Sequence, residues 1–230
     1  MVSSGVSPIP APTGLPLVDC LAALSPPTLD DYLAGVSEYV RTGSSSKAAQ
    51  IRLSSALGRA LLAELETHLP GLSGTAGEHN VSGALRTVQA DVSESNSLDG
   101  LRLGIEIKPV NRSVGKALWN RFGDIRTFAV NLHLKFPFAV TGGVLVIPTF
   151  DAATGGSTVH LIERAILRLV RAGGRLSEGD APHLLEGVCV LVYDPQSAAL
   201  DQNVPPVGSR LRWDEFIEDL VQAYQSRFVD

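Results

Sequence analysis

The chain has 230 residues, 44% hydrophobic and 19% charged, enough to bury one sizeable core and too apolar for a wholly disordered or collagen-like polymer. A net charge of −5 at pH 7 excludes a globally basic nucleic-acid binder, so such a role needs a local patch. Cys20 and Cys189 stand far apart and outside any CxxC or Cys/His cluster, which argues against a disulfide framework or a zinc site and fits a reducing cytoplasm; no apolar run reaches the ~20 residues that span a bilayer, and the N-terminus has no export-signal pattern.

Residues 1–27 hold six of the fourteen prolines and read as an irregular arm ahead of a single domain over 28–230. Thr28 or Asp30 caps a short helix over about 29–42. A longer helix runs from about 47 to 69 and stops at Pro70-Gly71. Its apolar residues Leu53, Leu57, Ala60 and Leu61 form one stripe, and at ~100° per residue Glu64 falls within it. A carboxylate on a buried face needs a partner or a metal.

Two alternating stretches follow, 84–93 and 101–108. In the first, Val88, Ala90 and Val92 share one face and Asp91 lies on the other. In the second, Leu101, Leu103, Ile105 and Ile107 face one way, and Arg102, Gly104, Glu106 and Lys108 the other. The turn-rich linker ending in Asp99-Gly100 predicts an antiparallel hairpin. Beyond Pro109 the pattern predicts a helix over 113–134, a buried strand over 139–148, a helix over 157–172, a second buried strand over 184–195 and a closing helix over 212–228. Apolar strands alternating with helices predict an α/β domain whose mixed sheet is covered on both faces.

The hairpin brings the chemistry together. Strand alternation puts Glu106 and Lys108 on one face, and pairing about the 96–101 turn brings Asp91 close to Glu106. Two close carboxylates repel unless a cation lies between them, and hard oxygen donors select a hard ion such as Mg²⁺. Lys108 beside that ion would hold a water or stabilise charge developing on a phosphate.

With Asp91, a gap of fourteen residues and Glu106-x-Lys108 at the end of an apolar strand before a helix, the chain resembles the PD-(D/E)XK nuclease superfamily over about residues 47–147. Ala90 stands where the family's name has proline, and only residues about 75–83 remain for the strand that precedes the Asp-bearing one. The resemblance implies a restriction-endonuclease-like fold, a mixed β-sheet flanked by helices. Asp91 and Glu106 would be metal ligands, Lys108 the catalytic lysine and Glu64 an auxiliary ligand. Asp99 is the rival acidic residue, better read as part of the Asp-Gly turn. With no helicase motif attached, the size resembles a type II restriction enzyme: a cytoplasmic, Mg²⁺-dependent DNA endonuclease acting on double-stranded DNA as a homodimer, with no membrane role. The alternatives are a structure-specific or repair nuclease of the same superfamily, a non-catalytic DNA-binding or assembly domain, and a protein-interaction domain.

Residues 101–135 carry seven Lys and Arg against Glu106 and Asp124, a net +5 within the acidic chain. Arg112, Lys116 and Asn120 recur every four residues, and with Arg121 they are the candidate DNA contacts. Arg164, Arg168, Arg171 and Arg175 form a second stripe, opposite an apolar set that includes Val170, and read as the solvent side of a helix. Trp119 and Phe122 read as core. The five histidines form no HExxH pair, the paired glycines precede no GK[ST], and GxSxG is missing.

Overall fold

The computed structural model describes residues 16–229. The first fifteen residues of the proline-rich arm lie outside the described residues. The rest of that arm is not irregular throughout. It forms a short helix α1 (Leu17–Cys20) and a 3₁₀ turn over Leu21–Ala23, and Val18 and Leu21 are buried in the main core. The apolar residues between the prolines of this stretch are what tie it down.

Helix α2 (Leu29–Arg41) starts at a reciprocal cap. The Asp31 amide donates to Thr28 Oγ1 at 3.1 Å, and the Thr28 amide donates to Asp31 Oδ2 at 2.8 Å. Helix α3 (Lys47–His68) is capped by Ser46, whose Oγ accepts from the Ala49 amide at 3.3 Å. Its buried seam is Leu53, Leu57, Leu61 and Leu65.

A meander follows, β1 (Thr75–Ser82), β2 (Thr87–Asn96) and β3 (Gly100–Pro109), antiparallel throughout. The expected hairpin is present. Its turn is held by the Leu98 and Asp99 amides, which donate to Asn96 Oδ1, and Gly100 follows at φ +72°. β1 occupies the residues left free for the extra strand. Helix α4 (Val114–His133) then crosses to β4 (Val140–Pro148), which pairs parallel with β3. Its N-terminus is capped by the buried Asp151, which accepts from the Ser113 and Val114 amides at 3.1 and 2.9 Å. A small hairpin, β5 (Phe150–Asp151) and β6 (Gly156–Ser157), positions that cap. Helix α5 (Val159–Leu169) leads to β7 (Gly187–Asp194), parallel to β4, and then to the short β8 (Ala199–Leu200) and helix α6 (Trp213–Phe228).

The result is an α/β domain with a six-stranded mixed sheet, order β1-β2-β3-β4-β7-β8. Helices α2, α3 and α6 cover one face through the largest apolar cluster, and α4 and α5 cover the other. The paired glycines of β4 serve this packing. A Cβ on Gly143 would meet Ile125 of α4, and one on Gly142 would meet Phe216 of α6, so both helices lie close on the sheet. Both cysteines are free, and Cys189 is buried in β7.

The hairpin faces depart from strict alternation. Val88 and Ala90 pack with Phe128 and Leu132 of α4, whereas Val92 packs on the α3 side. Leu101 likewise belongs with the α4 side, and Leu103, Ile105 and Ile107 with the α3 side. The register shift between Glu94 and Ser95 accounts for the second change of face. The first coincides with Asp91, where β2 leaves β3.

Candidate active site

β2 and β3 are paired from Asn96↔Gly100 to Val92↔Ile105 and no further, while β3 stays paired with β4 as far as Pro109↔Val146. Where the two strands part, a side chain takes over from the ladder. Asp91 Oδ2 accepts from the Ile107 amide at 2.6 Å. Asp91 is thereby fixed at 8% exposure beside the strand that carries Glu106 and Lys108. The alternation expected for β3 holds at those two positions. Glu106 is buried, and the Lys108 ammonium contacts its Oε1.

Both carboxyls are pushed well above their usual range. Burial raises Asp91 to about 6, against the lowering pull of the Ile107 N–H and Lys108, with Glu78 adding to the rise. Burial raises Glu106 to about 7, opposed by Lys108 and reinforced by Asp91 and Asp124. The Asp91 carboxyl thus lies within Coulombic reach of Glu106. The two carboxyls open into adjoining hollows. Asp91 lines a cleft of about 340 Å³ on the α3 side. Glu106 lines a neighbouring hollow of about 360 Å³ with Asp124 and Arg86 on the α4 side. Lys108 borders both.

Among the described residues, no group of three or more His, Cys, Asp or Glu is placed to hold a metal ion by itself. The donor set still suits Mg²⁺, which keeps several waters and is commonly bound through one or two carboxylates plus substrate phosphates. Asp91 and Glu106 supply two hard oxygen donors whose charge the protein compensates only through one amide and one ammonium.

Glu64, expected as an auxiliary ligand, is elsewhere. Glu64 is exposed and lies 3.9 Å from His68, beside Asp214 and Glu218 of α6. The seam of α3 runs through Leu61 to Leu65, which turns Glu64 to its flank. The α3 residues that reach the cleft are Lys47, Gln50, Ile51 and Ser54, and none is acidic. Asp99 sits in the hairpin turn at the far end of β3, exposed and bound to Arg102 Nε at 2.6 Å.

The basic segment divides. Arg112 and Arg121 line the cleft, and Arg121 is paired with Asp124 at 3.1 Å. Arg112 precedes α4 and so does not share a helix face with Lys116 and Asn120, which are exposed on α4 outside the cleft. The second arginine stripe also breaks up. Arg164 and Arg168 stack over Trp119 at 5.5 and 4.1 Å from its ring centre, and Arg171 is exposed. Trp119 and Phe122 are partly buried against the α4–α5 core. Val170, expected on the buried side, is exposed.

Arg175 is buried beyond the end of α5. It donates to Glu186 Oε1 at 2.7 Å, as does Arg227 at the same distance. Burial alone would raise Glu186, but His133, Arg227 and the Thr141 amide bring it down to about 2. This is a structural ionic node joining α6 to the strand ends.

Sequence reasoning missed Glu78. The pairing of β1 with β2 jumps from Ala76↔Val92 to His79↔Ala90, so Gly77 and Glu78 together oppose Asp91. Gly77 has φ +117°, a conformation few other residues adopt, and the bulge turns Glu78 into the cleft. The one sequence signal was a glycine before an acid in an otherwise polar strand. Comparisons with protein-family models, curated proteins and solved structures find no match.

Proposed function

We propose that the chain is a Mg²⁺-dependent endonuclease of restriction-endonuclease-like fold that hydrolyses phosphodiester bonds of double-stranded DNA. The observation that carries this reading is the pair of desolvated carboxyls, Asp91 and Glu106, held with Lys108 where β2 and β3 part; Asp91 and Lys108 line a cleft that also carries Lys47, Arg112 and Arg121. An apolar interior has no use for two like charges within reach of each other. A cation-binding site does.

β1 supplies the strand that the resemblance requires before the Asp-bearing one. Asp91 and Glu106 would hold the ion, and Asp91 is preorganised for this by its bond to the Ile107 amide. The bound ion supplies Lewis-acid polarisation of the phosphate and lowers the pKa of a coordinated water. Lys108 is placed to orient the attacking water or to stabilise charge on the phosphate oxygens. The cleft cations hold the polyanion by its backbone. Cutting both strands with one site per chain calls for a two-fold homodimer on a palindromic sequence, as in type II restriction enzymes. Such an enzyme would act in the cytoplasm. Among the described residues no helix is long and apolar enough to cross a membrane.

The test is digestion of long unmethylated DNA in Mg²⁺ and in EDTA. Discrete fragments in Mg²⁺ alone support a sequence-specific endonuclease. Dispersed Mg²⁺-dependent fragments support a structure-specific or repair nuclease instead. Intact DNA under both conditions contradicts the nuclease reading.

A further inference from the structure

The cations of the cleft are not equivalent. Lys108 is committed to Glu106 and Arg121 to Asp124. Among the described residues Lys47 and Arg112 have no acidic partner within 4.0 Å, and Arg112 Nε is buried without any acceptor. A buried donor left unmade is costly, which points to an acceptor that arrives from outside.

Arg112 and Lys47 line the same cleft, and Arg112 reaches the turn that joins α2 to α3. Gly43 in this turn has φ +69°, and a Cβ there would lie 3.5 Å from Arg112 Nη2, so the guanidinium packs directly on the turn. Three serines follow, Ser44, Ser45 and Ser46, and then Lys47 opens α3. The first turn of this helix contains no acidic residue. Ser46 occupies the Ala49 and Gln50 amides, which leaves those of Lys47 and Ala48 without a recorded acceptor among the described residues. Two cations without an acidic partner, Lys47 and Arg112, thus line the cleft whose wall also carries Asp91.

We propose that Lys47 and Arg112, the latter packed on the Gly43 turn, form a second phosphate subsite, which grips a phosphodiester of the same DNA strand near the one cleaved at Asp91, Glu106 and Lys108. This rests on the nuclease reading and assigns α3 the role of backbone clamp. Lys47 touches no reacting atom. It sets where the strand lies.

Binding of a defined duplex in Ca²⁺ across a range of salt tests this with the full chain. Lys47→Ala should weaken binding and lower the slope of log K against log salt by about one unit, and Lys47→Ala with Arg112→Gln by about two. Arg171→Ala, an exposed arginine on the α5 side, should leave the slope unchanged. A neutral methylphosphonate is then walked along one strand. The parent should lose affinity when it falls at the clamped position, and Lys47→Ala should be indifferent there. If the parent binds and cleaves DNA but Lys47→Ala keeps both its salt slope and its methylphosphonate sensitivity, the subsite is wrong and the nuclease reading stands. If the parent fails to bind DNA in Ca²⁺, the subsite and the nuclease reading fall together.

Discussion

Glu106→Gln should make the metal-free protein more stable at pH 8. In the unfolded chain this carboxyl ionises near its ordinary 4.5, and in the folded protein burial moves it to about 7. Between these values the native state keeps a proton that the unfolded state has released. The stability tied to protonated Glu106 is therefore complete below about pH 4.5 and is lost as pH rises through about 7. A rise of that size corresponds to roughly 3 kcal/mol at 1.36 kcal/mol per pK unit. Glutamine cannot ionise, so the variant avoids that loss, and Lys108, partly exposed, can turn to water. The charged groups around Glu106 are Lys108, Asp91 and Asp124, with Arg86 lining the same hollow. Of these, Asp91 is raised in the same way and leaves part of the pH dependence in the variant. The assay is urea denaturation in EDTA at half-unit steps from pH 4 to 8. The curves of parent and variant should converge near pH 4 and separate by about 3 kcal/mol at pH 8. Mg²⁺ added at pH 8 should stabilise the parent and not the variant. A parent whose stability is flat across this window, or a variant less stable than the parent at pH 8, would refute the account of a desolvated carboxyl awaiting a cation.

Lys108→Ala should retain Ca²⁺-supported DNA binding and lose single-turnover cleavage by on the order of 10² or more, because the ammonium serves the transition state and holds neither the ion nor the bound strand; cleavage at the parent rate would reduce Lys108 to an ion-pair partner of Glu106. Glu64→Gln should leave the Mg²⁺ concentration for half-maximal cleavage unchanged, since Glu64 is exposed beside His68 and α6; a raised requirement would return it to the metal site. Glu186→Ala should destabilise the fold by about 3–5 kcal/mol in chemical denaturation, because it strands buried Arg175 beside Arg227. A change below about 1 kcal/mol would show the node to be dispensable.

What could be read from the sequence followed the reach of its periodicities. Glu106 and Lys108 share a face because β3 keeps a period of two from Leu103 to Lys108, and Asp91 meets them because the Asn96–Gly100 turn fixes the register. Glu64 was misplaced because a stripe that starts at Leu53 drifts over the roughly three turns to Leu65, to which its far end belongs. Bulges are invisible to a period of two. The one at Gly77 hid Glu78, and the shift near Ser95 hid the change of face at Leu101. Arg175 looked like a solvent residue because it continues a helical spacing beyond the point where α5 ends. Its partner Glu186 and the other members of that node, His133, Thr141 and Arg227, lie on separate elements, and only tertiary folding brings them together.

The central claim is that Asp91 and Glu106 act as one divalent-ion site for phosphodiester hydrolysis. Single-turnover conversion of supercoiled plasmid in Mg²⁺, compared for the parent, Asp91→Asn and Glu106→Gln, tests it most directly. The account predicts cleavage by the parent that EDTA abolishes, and loss of cleavage in both variants with their folds intact. Cleavage by either variant at the parent rate, or no Mg²⁺-dependent cleavage by the parent, would contradict it.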